Sequence, residues 1–206
     1  MSISDKRIYL ASRSPRRRDL LKQIGVPFEL LLLREDLQRG VDVDETPLTE
    51  ESPGVYVLRM AGTKVNMAVR QIAFRGLPQK PVLAADTTVV FDGQIVGKPE
   101  DAGHAARMLR ALSGREHQVL TAVAIALRER VETQISVSSV CFRDLSDTEV
   151  RRYIASGEPL DKAGAYAVQG RAAAFVTRIS GSYSGIMALP LAETAELLQK
   201  FDIPVY

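Results

Sequence analysis

The sequence predicts an α/β fold in which a mixed β-sheet is flanked by helices. Apolar runs of strand length alternate along the chain with segments that carry helix start and stop signals, and such alternation is typical of α/β proteins. Asp92 and Gly93 lie between two apolar runs and predict a tight hairpin, so at least one strand pair is antiparallel. The 206 residues are 46% hydrophobic and 25% charged, which fits a single globular domain (residues 1–206) without a linker.

The strands are predicted from the apolar runs. The run at residues 28–33 is typical of a buried strand. Asp86 and Thr87 are expected to interrupt another strand. The full set of predicted strands is residues 7–11, 28–33, 82–90, 95–96, 119–127, 131–142 and 173–179.

The helices are predicted mainly from their first residues. Ser14 and Ser52 each precede a proline, a pair that is favoured at a helix N-cap and first turn. Asp101 is a further N-cap residue, and Ser146 with Glu149 has the spacing of a capping box. The predicted helices are residues 16–24, 55–75, 102–112, 147–156 and 190–201.

Charge and motifs exclude several classes of function. A net charge of +2 is too small for a nucleic-acid track or a membrane-surface binder. No apolar run reaches the ~18 residues of a membrane span, and residues 1–7 are polar, so we expect a cytoplasmic protein. Walker A and dinucleotide-binding motifs are missing, and His104 and His117 lack ligand-like neighbours for zinc. Tyr183 stands where a serine hydrolase needs its nucleophile.

The segment that joins the first strand to the first helix has the character of an anion site. Ser12 and Ser14 precede a helix whose first turn holds Arg16. Basic residues oppose the helix dipole there unless an anion lies nearby. Free N–H groups, hydroxyls and guanidinium groups together favour phosphate, although a solvated basic turn would have the same sequence.

Four further residues complete a set suited to attack on phosphorus. Asp86 is costly within an apolar strand unless it is paired or functional. Lys64 and Lys98 would suit phosphate groups, although each also fits an ordinary surface lysine. Glu35 opens an acidic stretch that follows a strand. Carboxylates for a hard divalent cation and cations for phosphates together indicate metal-assisted hydrolysis.

The sequence resembles the Maf family of nucleotide pyrophosphatases over nearly its whole length. The resemblance lies in six ordered blocks, namely residues 9–17, 84–87, 97–99, 112–121, 161–170 and 181–191. It implies an elongated mixed sheet with two lobes around a central cleft, similar to inosine triphosphatases. It also implies hydrolysis between the α and β phosphates, dependence on Mg²⁺ or Mn²⁺, and a homodimer.

The resemblance also implies residue roles. Asp86 would accept the proton of the attacking water and, with Glu35, hold the metal. Phosphate contacts would come from Ser12, Arg16, Lys64 and Lys98. Arg16, Thr87 and Gln169 match the branch that acts on dTTP and UTP, and a glutamine amide can pair with the O4 and N3–H edge of thymine or uracil.

Three departures and two alternatives accompany this resemblance. Ala167-Val168 stands where the branch usually has Gly-Ile, Ala188 replaces a usual Gly, and Thr63 replaces a usual charged residue. One alternative keeps the chemistry and changes the base to 7-methyl-GTP or another modified nucleotide. The other is a nucleotide-binding regulator of septum formation that does not turn its ligand over.

Overall fold

A computed structural model describes residues 6–34 and 42–205. Its strands are β1 (Ile8–Leu10), β2 (Phe28–Leu30), β3 (Val82–Phe91), β4 (Gln94–Val96), β5 (Glu116–Leu127), β6 (Arg130–Phe142) and β7 (Val176–Ser180). Its helices are α1 (Pro15–Gln23), α2 (Pro53–Phe74), α3 (Ala102–Leu112), α4 (Asp147–Ala155), α5 (Tyr183–Ile186) and α6 (Leu191–Lys200), with 3₁₀ turns at Ala163–Ala165 and Arg171–Phe175.

The strands form one mixed sheet of seven strands in the order β2-β1-β3-β5-β6-β7, with β4 paired to β3. β1 is parallel to β2 and to β3, whereas β3 and β4, and β6 and β7, are antiparallel. The predicted hairpin is present, with Phe91 opposite Gln94, and Asp92 and Gly93 both have positive φ as a tight two-residue turn requires. The predicted α/β class with a mixed sheet is confirmed.

The chain divides into two compact units. The first holds the described residues up to Asp86, residues 122–135 and those from Ala188 onward. The second holds residues 87–121 and 136–187. Fully buried side chains of the first unit include Ile8, Leu10, Met60, Leu83, Ile125 and Leu197. The core of the second unit includes Val89, Leu109, Phe142, Tyr153, Tyr166 and Phe175.

Local start signals place the helices correctly, since Asp101 and the Ser146 capping box cap α3 and α4 as expected. Other expectations were wrong in detail. β3 runs through Asp86 without interruption. β2 lies at an edge of the sheet and Leu30 is 45% exposed, so the run at 28–33 is not a buried strand. None of the helices in the described part of the chain is long and apolar enough to cross a membrane.

Candidate functional site

The segment between β1 and α1 places two hydroxyls and a partly buried arginine together. Ser12 is 8% exposed, and its Oγ accepts from the Ser14 N–H at 3.2 Å and from Arg17 Nη1 at 3.1 Å. The Ser14 Oγ is buried and has no hydrogen-bond partner among the described residues. A buried polar atom without a partner is costly, and at the N-terminus of a helix it is suited to an incoming anion.

Arg17 connects this segment to the far end of the chain. Its Nε donates to the Ala188 carbonyl at 2.8 Å. Burial lowers the pKa of Arg17, while the charges of Asp86 and Glu45 raise it and that of Arg16 lowers it. The guanidinium group still carries its charge in a protein, so a fixed cation lies in the electrostatic range of both carboxylates.

Lys64 joins two carboxylates in the first unit. Its Nζ lies 2.6 Å from Asp86 Oδ1 and 2.6 Å from Glu45 Oε1. The Lys64 and Asp86 side chains are 17% and 12% exposed. We call these three residues the Lys64 cluster. Bonds between charged groups are stronger than neutral ones, so the three side chains hold one another in place.

The electrostatics of the Lys64 cluster keep the lysine charged. Burial lowers the pKa of Lys64, but the charges of Asp86 and Glu45 and their hydrogen bonds outweigh it, so the pKa is raised. The pKa of Tyr56 is raised to about 12, first by burial and then by the same two carboxylates. Lys64 is therefore a cation and Tyr56 a neutral donor at physiological pH.

Helix α2 also anchors the loop that carries Glu45. The Tyr56 hydroxyl donates to the Glu45 carbonyl at 3.0 Å, and Arg59 Nη2 donates to the Thr46 carbonyl at 3.1 Å. Arg59 is held in turn by the Glu51 carboxylate, 2.6 Å from its Nη2. One helix therefore supplies Lys64 and fixes the backbone of the second carboxylate beside it.

In the second unit, Thr87 belongs to a chain of hydroxyl groups whose direction can be assigned. The Thr121 hydroxyl donates to the Gly185 carbonyl at 2.7 Å and lies 3.0 Å from the Thr87 hydroxyl. A hydroxyl has one proton, and the proton of Thr121 is given to Gly185. Thr87 is therefore the donor in its bond to Thr121.

Gln169 and Lys98 also lie in the second unit, Gln169 on an exposed turn and Lys98 in an exposed irregular segment. The Gly170 N–H donates to the Ala167 carbonyl at 2.9 Å, which closes a turn with Gln169 exposed at its tip. Lys98 is exposed, and the carbonyl of the preceding Gly97 accepts from the Gly164 N–H at 3.0 Å. Backbone hydrogen bonds thus hold both the Gln169 turn and the segment beside Lys98 within that unit.

The predicted site residues are therefore distributed as follows. The first unit holds Ser12, Arg16, Lys64 and Asp86, and the second holds Thr87, Lys98 and Gln169. The predicted metal ligand Glu35 lies outside the described residues.

Glu45 and Arg17 belong to the charged group of the first unit, and sequence reasoning missed them. The second arginine after Ser-Pro was a usable signal for Arg17. Glu45 has several acidic neighbours, and no pattern in the sequence distinguishes it from them.

A divalent cation needs hard oxygen donors. Across residues 6–34 and 42–205 there is no group of three or more His, Cys, Asp or Glu side chains arranged to hold a metal. Asp86 and Glu45 form a pair, because both lie against one lysine nitrogen. Mg²⁺ is commonly bound by one or two carboxylates with water and substrate phosphates as its other ligands, so this pair fits that mode.

Comparison with known proteins agrees with the blocks described above. The model of a family described as Maf-like protein matches residues 7–201. The chain belongs to the Maf family. The dTTP/UTP pyrophosphatase of Nitrosomonas europaea is 59% identical to it and is covered over 96% of its length, with 97% of this chain aligned. That of Nitrosospira multiformis is 55% identical, with both chains covered over 100%.

A solved structure shows the same fold at low sequence identity. The Staphylococcus aureus Ham1 protein is similar with a TM-score of 0.50 and 17% identity, over 95% of this chain and 97% of that one. At that identity the similarity concerns the fold alone.

Proposed function

We propose that this Maf protein hydrolyses dTTP and UTP to the nucleoside monophosphate and pyrophosphate. The observation that carries the proposal is the Lys64 cluster, in which a buried aspartate and a second carboxylate share one lysine. The names of relatives at 59% and 55% identity over nearly the full chain support the reaction and the substrate.

In the proposed reaction, Asp86 takes a proton from a water molecule as the water oxygen bonds to the α-phosphorus. The bond from that phosphorus to the α–β bridging oxygen breaks, and pyrophosphate leaves with the electron pair. A positioned carboxylate is a general base suited to this step. Lys64 holds the Asp86 carboxylate in place through its bond of 2.6 Å.

Phosphate binding is assigned to cations and to the start of α1. Ser12 and Arg16 lie where a strand leads into a helix N-terminus, a setting that favours anions. The hydroxyl of Ser14 is buried there and has no hydrogen-bond partner among the described residues. Lys64 and Lys98 are the proposed lysine contacts. Stabilisation of developing charge by preorganised donors is the largest contribution expected of them.

We propose Mg²⁺ or Mn²⁺ as the cofactor, held by Asp86 with Glu45. The donor chemistry of this pair supports it. Bound there, the cation would neutralise phosphate charge and polarise the phosphoryl group. The earlier assignment of Glu35 to this role stays a prediction.

Base selection is assigned to Arg16, Thr87 and Gln169. The exposed amide of Gln169 can donate and accept at the same time, which suits the O4 and N3–H edge of uracil and thymine. We propose that the protein acts in the cytoplasm, where free nucleotides are used, and that it forms a homodimer, the commonest assembly among protein oligomers.

The test is pyrophosphate release from dTTP, UTP, CTP, 7-methyl-GTP and ITP, with Mg²⁺, Mn²⁺ or a chelator. We expect metal-dependent turnover of dTTP and UTP that Gln169→Ala reduces far more than turnover of any purine nucleotide. Preference for 7-methyl-GTP would favour the alternative substrate. Tight nucleotide binding without turnover of any triphosphate would reject the enzyme and favour the regulator of septum formation.

A further inference from the structure

The turn that carries Gln169 is supported by two side chains from outside it. The turn spans residues 167–170, and Ala167 and Val168 are each only 5% exposed, whereas Gln169 is exposed. The tip therefore faces solvent while the remainder packs into the second unit. The contacts on the buried side of this turn therefore determine the position of the Gln169 amide.

Tyr153 and Glu158 supply that support on both sides of Gln169. The Ala167 N–H donates to the Tyr153 hydroxyl oxygen at 3.3 Å, and this hydroxyl donates to Glu158 Oε1 at 2.9 Å. The Arg171 N–H donates to Glu158 Oε2 at 3.1 Å. The bonded backbone groups therefore lie two residues before and two residues after Gln169.

Gly170 allows the carboxylate to approach the turn closely. A Cβ added at Gly170 would lie 2.2 Å from Glu158 Oε1 and 2.5 Å from its carboxyl carbon. Such distances are far below van der Waals contact, so Glu158 occupies the space that any other residue at position 170 would need. Gly170, the Glu158 carboxylate and Tyr153 therefore pack together on the side of the turn opposite the exposed Gln169.

We propose that Tyr153 and Glu158 are positioning residues for base selection, which act by fixing the turn that presents Gln169. This inference rests on the proposed role of Gln169 in reading the uracil or thymine edge. Selectivity by hydrogen bonding requires that donor and acceptor meet the base in register, and a displacement of about 1 Å is enough to weaken it strongly. Neither residue takes part in the Lys64 cluster.

The first experiment measures kcat and KM for UTP and CTP in Tyr153→Phe and Glu158→Gln. Phenylalanine removes the hydroxyl that joins Ala167 to Glu158, and glutamine replaces one of the two acceptor oxygens by a donor. We expect KM for UTP to rise about tenfold, the UTP-to-CTP ratio of kcat/KM to fall about tenfold, and kcat to change less than threefold.

Tyr166→Phe is the matched control, because it removes another buried tyrosine hydroxyl close to the same turn. The hydroxyl of Tyr166 bonds to His117 Nε2 at 2.8 Å. This control should lose a similar amount of stability, read by urea unfolding, and keep the selectivity ratio.

A double-mutant cycle separates direct support from a general loss of stability. Gly170→Ala alone should reduce the UTP-to-CTP ratio at least tenfold, because the new methyl group meets Glu158. In a Glu158→Ala background the same change should add less than threefold, since the obstruction is gone.

These experiments test the positioning role separately from the pyrophosphatase activity. Folded Tyr153→Phe and Glu158→Gln proteins with wild-type ratios, or independent effects of Gly170→Ala and Glu158→Ala, would overturn the positioning role while leaving the pyrophosphatase intact. If wild-type protein hydrolyses neither UTP nor dTTP under any metal condition, the proposed function is rejected, and the positioning role is rejected with it.

Discussion

Two ionisable groups with mostly buried side chains, one in each unit, show opposite electrostatic behaviour. Lys64 in the first unit has a raised pKa because Asp86 and Glu45 outweigh its burial. His117 in the second unit has its pKa lowered to about 4 by burial, and the charge of Glu116 opposes this shift only weakly. Burial favours the neutral form of both groups, so the presence of carboxylates in contact decides which one stays charged.

The surroundings of His117 explain why it stays neutral. It is 3% exposed, its Nε2 lies 2.8 Å from the Tyr166 hydroxyl, and its ring packs edge-on against Phe142 with centroids 5.0 Å apart. Its Nδ1 has no hydrogen-bond partner among the described residues. The first unit therefore uses buried charge, and the second uses neutral hydrogen bonds to hold backbone in place.

Among the changes that test the charged groups of the first unit, we expect Asp86→Asn to have the largest effect. The amide keeps the shape but removes the charge and the base, and general base catalysis contributes about 10²- to 10⁴-fold. We expect kcat for dTTP to fall about 10³-fold, measured by pyrophosphate release. A variant that keeps more than a tenth of wild-type kcat would show that Asp86 is not the base.

Acid should destabilise the protein through His117. Its folded pKa of about 4 lies below the unfolded value of 6.5, so stability is complete above pH 6.5 and is lost as pH falls toward 4. The free energy of unfolding should drop by about 3 kcal/mol over this range from this residue, measured by urea unfolding.

His117→Gln should remove most of that slope, because glutamine does not titrate. His104→Gln is the control, since His104 lies on α3 and its Nδ1 accepts from the Glu100 N–H at 3.3 Å near the surface. A His117→Gln protein with the wild-type pH slope would contradict the assignment.

Glu45→Gln should weaken the Lys64 cluster without dismantling it. The Glu45 side chain is 54% exposed, so loss of its charge costs about 1 kcal/mol, and kcat/KM should fall about fivefold while Asp86 still holds Lys64. Asp44→Asn serves as the matched control, because its side chain accepts from the Thr46 N–H at 2.9 Å and asparagine keeps that acceptor. Equal effects of the two changes would remove Glu45 from the site.

The smallest effect concerns backbone strain in the two units. Ala188 in the first unit has φ of 96° and Ala165 in the second has φ of 58°. A Cβ is costly at the first angle, so Ala188→Gly should raise the free energy of unfolding by about 1 kcal/mol. Ala165→Gly should change it less, because its φ lies in the ordinary left-handed region and its methyl group is fully buried.

Short-range signals explain what could be predicted from the sequence. Asp101, Ser146 and Glu149 cap helices through bonds to residues three positions away, so a window of four residues is enough to recognise them. Asp86 could be found because a charge within an apolar strand is costly. These features need no knowledge of the rest of the chain.

Long-range contacts explain what was missed. Glu45 is recognised only when it lies 2.6 Å from Lys64, and nothing within its acidic segment marks it. The low exposure expected of residues 28–33 depended on which strands would flank them, and β2 proved to be at an edge. In both cases the decisive partner is distant in sequence.

The bond between Arg17 and the Ala188 carbonyl joins residues 171 positions apart, so it can form only after both residues have left the ribosome. While the chain is being synthesised, Arg17 emerges 171 residues ahead of its carbonyl partner. Until then water takes the place of the Ala188 carbonyl at the Arg17 guanidinium group, and this contact within the first unit is missing. The first unit, which also contains the described residues from Ala188 onward, therefore completes its packing only after those residues have been synthesised.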